Sequence, residues 1–160
     1  MNLDKRSDLE PGPDAARQRW MAVLARAACP ELEAAWETTA ERPGHTWLRK
    51  PETGMSMIRA RTGGNGQPFN LGEVTVTRCA LKIADGTMGV AYIKGRAHRH
   101  AELAALFDAL LQDETRHDEI EGRVIAPLER NGQERKATMQ RKAAATRVDF
   151  FTMATGRKAK

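Results

Sequence analysis

Three arginines are the side chains of this sequence best placed to do chemistry. Arg59 and Arg61 stand two apart in a strand-like run, so they share a face, and Arg78 lies in a second strand-like run that can neighbour the first. Three guanidinium groups on one sheet face suit a polyphosphate, or a row of acidic residues on a partner. The same pattern also describes a solvated sheet face crossed by salt bridges of little energetic weight. Other candidates are weaker. His98 and His100 stand at i and i+2 of a helix start, where side chains diverge, and nothing around them has ligand spacing, so no metal site is predicted. His100 is expected in an exposed first turn. The glycine-rich stretch from Gly63 to Gly72 contains neither a P-loop nor a dinucleotide fingerprint and leads into a strand, so it reads as a connecting loop. Cys29 and Cys79 form no metal pattern and have no neighbouring histidine, and no G-x-S-x-G is present. Asp149 could be buried between Val148 and Phe150, but a lone carboxylate names no reaction. Catalytic residues therefore stay unassigned.

The elements that must position these residues follow from apolar spacing. After a polar segment, 1–12, expected to be a disordered tail, Pro13 and Asp14 suit a helix N-terminus. Trp20, Val23, Leu24 and Ala27 form one buried stripe. Pro30 ends that helix and opens another, carrying Leu32, Ala35 and Trp36. Residues 45–50 and 55–61 read as strands separated by a turn at Pro51-Glu52-Thr53-Gly54. The strongest local signal is Asp85-Gly86 between the runs 74–83 and 87–94. It predicts a two-residue type I′ hairpin pairing Ile83 with Met88, Leu81 with Val90 and Cys79 with Tyr92, all on one apolar face. Val74 and Val76 fall on the opposite parity, so either both faces are covered there or a bulge near Arg78 switches the pleat.

Leu103, Leu106, Phe107, Leu110 and Leu111 define an amphipathic helix after Gly95, and a polar, acidic stretch follows. Residues 123–128 read as extended ahead of Pro127. Residues 133–145 form a helix with a weak apolar stripe, and Arg147 to Met153 a last strand. In that strand the adjacent Phe150 and Phe151 face opposite sides. One of them is expected to pack on another subunit. The predicted fold is a single α+β domain, 13–156, with a mainly antiparallel sheet around the Asp-Gly hairpin, packed by helices, and a basic tail at 157–160.

Composition sets the class. The chain has 160 residues, 41 % of them hydrophobic and 29 % charged, which suits one domain with its own core. No apolar run approaches the roughly 18 residues a membrane span needs, the first residues lack a signal-type apolar core, and both cysteines suit reduced thiols, so a cytoplasmic protein is expected. The net charge is +5. Residues 130–160 carry nine basic and two acidic side chains, leaving the rest of the chain at −2. Such a basic end fits a phosphorylated ligand, an acidic protein face or a solvated helix. A stand-alone basic nucleotide- or RNA-binding module is the alternative reading, but aromatics at only 5 % and the lack of a stacking motif count against it, and no nucleic-acid partner is expected.

Ordered strings along the chain carry a resemblance. They are Arg17-Gln18-x-Trp20-Met21-x-Val23-Leu24-Ala25, Pro51-Glu52-Thr53-Gly54, Gly63-Gly64-x-Gly66 and Thr75-x-Thr77-Arg78. Further along come Asp85-Gly86-Thr87-x-Gly89, His100-Ala101-Glu102, Ile125-Ala126-Pro127-Leu128 and Arg147-Val148-Asp149-Phe150-Phe151-Thr152-Met153. From about residue 15 to residue 156 the sequence resembles the PhnG family, the G subunit of the bacterial carbon–phosphorus lyase core complex. That resemblance implies an accessory subunit working with PhnH-, PhnI- and PhnJ-like proteins, the PhnI-like one being the expected direct contact, and functionally with a PhnL-like protein. It implies formation of α-D-ribose 1-methylphosphonate 5-triphosphate from ATP and methylphosphonate, with release of adenine. ATP is then a substrate of the complex, no cofactor is expected on this chain, and the resemblance assigns it no catalytic residue.

Overall fold

The computed structural model describes residues 13–40, 42–61 and 66–146. The expected segments 1–12 and 157–160, the start of the glycine-rich stretch at 63–65, and the last strand with Asp149, Phe150 and Phe151 lie outside the described residues.

Leu103 to Leu111 lie at the centre, in helix α3 (His98–Leu111), which is buried on all sides from His100 onward except at Glu102. A helix apolar around its circumference needs cover on every face. One face packs on a three-stranded antiparallel sheet of order β1-β2-β3: β1 (His45–Ala60), β2 (Phe69–Ile83) and β3 (Met88–Lys94). The others pack on α1 (Pro13–Arg26), α2 (Cys29–Thr38) and α4 (Glu114–Ile120). α4 runs through a π-helical turn, Glu121–Ile125, into α5 (Ala126–Ala145). The predicted stripes become core: Trp20 and Leu24 of α1, Ala27 just after it and Leu32 of α2 are buried, with Val23, Ala35 and Trp36 packed against them. The α+β class, the antiparallel sheet and the helix 98–111 agree with expectation.

The hairpin register differs from the predicted one by a residue. The loop has three residues, Ala84 to Gly86, closed by Gly86 N–H to Ile83 O at 3.0 Å and Ile83 N–H to Thr87 O at 3.0 Å. Only Gly86 has positive φ, at 98°, whereas a type I′ turn requires it of Asp85 too. Leu81 therefore pairs with Gly89 and Cys79 with Ala91. Cys79, Leu81 and Ile83 stay inside, while Met88 and Tyr92 move to the outer face. Packing explains the choice. Gly89 faces α3 so closely that a Cβ there would overlap the Ala105 carbonyl oxygen, so the glycine must be the inward residue.

Three further expectations are corrected. Pro51 to Gly54 is no turn: β1 runs unbroken from His45 to Ala60, with register shifts between Trp47 and Arg49, between Arg49 and Glu52 and between Ile58 and Arg59. The irregularity near Arg78 thus belongs to β1, and the buried positions of β2 alternate regularly from Thr77 to Ile83. Residues 123–128 are helical, not extended. In the π turn Ala126 N–H reaches back to Glu121 O, and this wider turn admits Pro127 in the first turn of α5, where its missing N–H is not needed. Finally, His100 is buried. Its ring nitrogen lies 2.8 Å from Leu24 O and ties α3 to the end of α1.

Candidate functional site

The most densely bonded side chain of the described residues is one that periodicity conceals. Asp108 lies within the apolar run of α3 and is fully buried. Arg17 grips it with two bonds, Nε to Oδ1 at 3.1 Å and Nη2 to Oδ2 at 2.8 Å. Trp20 Nε1 donates to Oδ1 at 3.0 Å, and Val90 N donates to Oδ2 at 3.0 Å. One carboxylate thereby joins α1, α3 and the outer edge of β3, and it satisfies an edge-strand N–H that would otherwise stay open. Thr77, fully buried, does similar work at the other end of β3. Its Oγ1 donates to Gly95 O at 2.6 Å and accepts from Ala97 N at 2.9 Å, fastening β2 to the start of α3. The recurring strings around Arg17, Trp20, Thr77, Gly89 and His100 therefore build anchors. The signal that could have revealed Asp108 is a lone acid inside an otherwise apolar helix face.

The predicted arginines do not form one cluster. Arg78 occupies the middle of a cross-sheet row on the face away from α3, between Glu52 of β1 and Tyr92 of β3. Its Nε lies 2.8 Å from Glu52 Oε1, and Arg49 pairs with that same oxygen. The hydrogen bonds from Arg78 and Arg49 hold the Glu52 carboxyl below the usual range, and Glu52 raises Arg78 in turn. Arg59 stands opposite Asn70, eight residues along β2 from Arg78, a separation of roughly 26 Å at strand rise. Arg61 follows the end of β1 and is exposed.

The sulfurs are unsuited to nucleophilic attack. Burial, with Glu102 nearby, pushes the Cys79 thiol up to about 12, and the thiol donates to Ala101 O at 3.1 Å. Burial also pushes Cys29 up, reinforced by Glu33 and opposed by Arg99. A thiol raised in this way offers little thiolate at neutral pH. His98 is exposed, its Nε2 3.0 Å from Thr53 Oγ1. Among the described residues no three His, Cys, Asp or Glu side chains gather as metal ligands would. A cleft of about 400 Å³ separates α2 from α4 and the π turn, rimmed by Arg116 and Arg123. Its threonines Thr38 and Thr39 bond carbonyls of their own helix. Among the described residues no helix is long and apolar enough to cross a membrane.

Fold and site together define a small α+β domain whose best-bonded polar side chains among the described residues anchor its own elements. Residues 15–156 match the phosphonate metabolism protein PhnG family, and the chain belongs to that family. It is similar to the α-D-ribose 1-methylphosphonate 5-triphosphate synthase subunit PhnG of Rhizobium meliloti (strain 1021), with 40 % identity over 149 residues covering 89 % of this chain and 90 % of that protein.

Proposed function

We propose that this chain is a subunit of the carbon–phosphorus lyase core complex. There it contributes to forming α-D-ribose 1-methylphosphonate 5-triphosphate from ATP and methylphosphonate, with adenine released, in phosphonate catabolism. The observation that carries this reading is the 40 % identity, along nine-tenths of both chains, with a protein named as a subunit of that synthase. Its role is structural or accessory, and the anchors around Asp108, Thr77 and His100 support this by spending the best-placed polar groups on the chain's own packing. Its partners are PhnH-, PhnI- and PhnJ-like subunits in the cytoplasm, with a PhnI-like protein in direct contact and a PhnL-like protein acting alongside. No cofactor is assigned to this chain. Arg78 on the outer sheet face and Arg59 and Arg61 at the far end of β1 are its proposed contacts to phosphate or to acidic partner residues, and one of Phe150 and Phe151 is a further contact to a partner.

Co-expression with the H-, I- and J-like subunits from the same source tests the reading. The chain should co-purify with them, and adenine release from ATP in the presence of methylphosphonate and the L-like protein should fall at least tenfold when it is omitted. A complex that forms and releases adenine equally well without it would overturn the reading.

A further inference from the structure

Among the described residues strand β1 forms one edge of the sheet, and its two halves treat that edge differently. From His45 to Glu52 the register slips twice and the edge carries Lys50 and Pro51. Slipped register, charge and proline are the means by which an edge refuses a further strand. From Gly54 to Ile58 none of these appears: Gly54, Met55, Ser56, Met57 and Ile58 pair in unbroken register with Val76 to Gly72, and the next slip comes only between Ile58 and Arg59. This half also extends past β3, whose ladder with β2 ends at Val76 and Lys94, so it forms a two-stranded ribbon without a third strand among the described residues. Met55, Met57 and Ile58 of β1, and Phe69 and Leu71 of β2, are 41–67 % exposed. Met55 and Met57 alternate with Ile58, so both faces of the ribbon carry exposed apolar side chains. Two-stranded ribbons of this kind are marginal in water without cover.

We infer that Gly54–Ile58 is a docking edge that takes an extended strand from a different, acidic subunit, which adds to the sheet beside β1. The inference rests on the subunit reading above. Charge selects the occupant. β1 carries Arg49, Lys50 and Arg59 against a single carboxylate, Glu52, which Arg49 and Arg78 already engage, and Arg61 follows directly. The chain as a whole is +5. A second copy would bring like charge to this strand, whereas an acidic strand meets cations at both ends of the apolar stretch. Main-chain bonds would supply the pairing, and Met55, Met57 and Ile58 the apolar contact.

The test uses the co-expressed complex of this chain with its H-, I- and J-like partners. A photo-crosslinking residue replaces Met57, and another replaces Met139, an exposed control on α5. Hydrogen exchange of residues 54–58 is compared between the free chain and the complex. The expected result is a crosslink from position 57 to one segment of a different subunit, none to the same segment from position 139, and amide exchange at 54–58 slowed roughly tenfold or more on assembly. The double variant Met55→Glu, Met57→Glu should keep its circular dichroism and lose the partner. The milder Met57→Ser should bind more weakly. Crosslinks from 57 to a second copy, or to residues 147–153 of the same chain, would overturn the proposal. So would an intact complex in which 54–58 exchanges as fast as in the free chain. If the unmodified chain fails to enter the complex at all, the subunit reading falls and the docking edge falls with it.

Discussion

Asp108 gives the fold its sharpest sensitivity to a single residue. Its four N–H donors come from two elements, α1 and β3, so Asp108→Ala strands the Trp20 and Val90 N–H groups beside an apolar core. Arg17 is about a third exposed and stays solvated, so the loss comes chiefly from the Trp20 and Val90 donors left without an acceptor, about 1–3 kcal/mol for each. Urea unfolding of Asp108→Ala should show a loss of that size. Asp108→Asn, which keeps the shape and an acceptor, should lose less. Equal stability of the alanine variant and the unmodified chain would show that this carboxylate is not the anchor. Gly89 is the second sensitive position. A methyl group there must displace the Ala105 backbone, so Gly89→Ala should lower stability by about 1–3 kcal/mol or more. Gly86→Ala loses only the positive φ of the hairpin loop and should cost about 1–2 kcal/mol.

Between elements, Glu31 offers a test of how α5 is held. The side chain accepts from Ala28 N at 3.0 Å, which supports the start of α2. It also accepts from Asn131 at 2.9 Å and Arg135 at 2.8 Å, which tie α2 to α5. Burial alone would raise this carboxyl, but the bonds from Arg135, Ala28 and Asn131 outweigh it and the net direction is down. A carboxyl whose pKa is lower in the folded chain stabilises fully above its unfolded value of about 4.3. That stabilisation fades as pH falls through the depressed folded value. Thermal unfolding followed from pH 7 down to pH 3 should therefore show a loss at the acid end that Glu31→Gln largely removes. An identical acid profile for the two proteins would mean the contact contributes nothing. Beyond this tie, most of α5 is exposed, as its weak apolar stripe predicts.

For the molecule as a whole, the outer sheet face and the ribbon leave Met55, Met57, Leu71, Met88 and Tyr92 more than half exposed. Exposed apolar surface on this scale marks an interaction surface. The isolated chain should therefore self-associate at micromolar concentration and at salt high enough to screen its net positive charge, and co-expression with its partners should suppress this. Light scattering of the chain alone against the complex measures it. A monodisperse, stable monomer in high salt would count against an obligate subunit.

Periodicity and composition by themselves determined the first two helices and the one after Gly95, the hairpin position, the α+β class and the absence of a conventional nucleophile motif, because each depends on neighbours within about one turn or one strand. The ordered strings were legible as a family pattern, but what each string does was not. Trp20 read as a stripe residue of a helix, and Arg17 only as part of a string, until Asp108, 88 and 91 positions away, is brought to them. The one-residue shift of the hairpin was hidden for the same reason: turn composition proposes a loop length, whereas the contact between Gly89 and Ala105 selects it. Pro51 read as a break because local rules favour a turn there, but pairing along β2 from Phe69 to Ile83 holds β1 continuous. Only the tertiary structure separated Arg78 from Arg59, since two residues that share a sheet are neighbours only if the register sets them opposite, and that register depends on side chains meeting across the core.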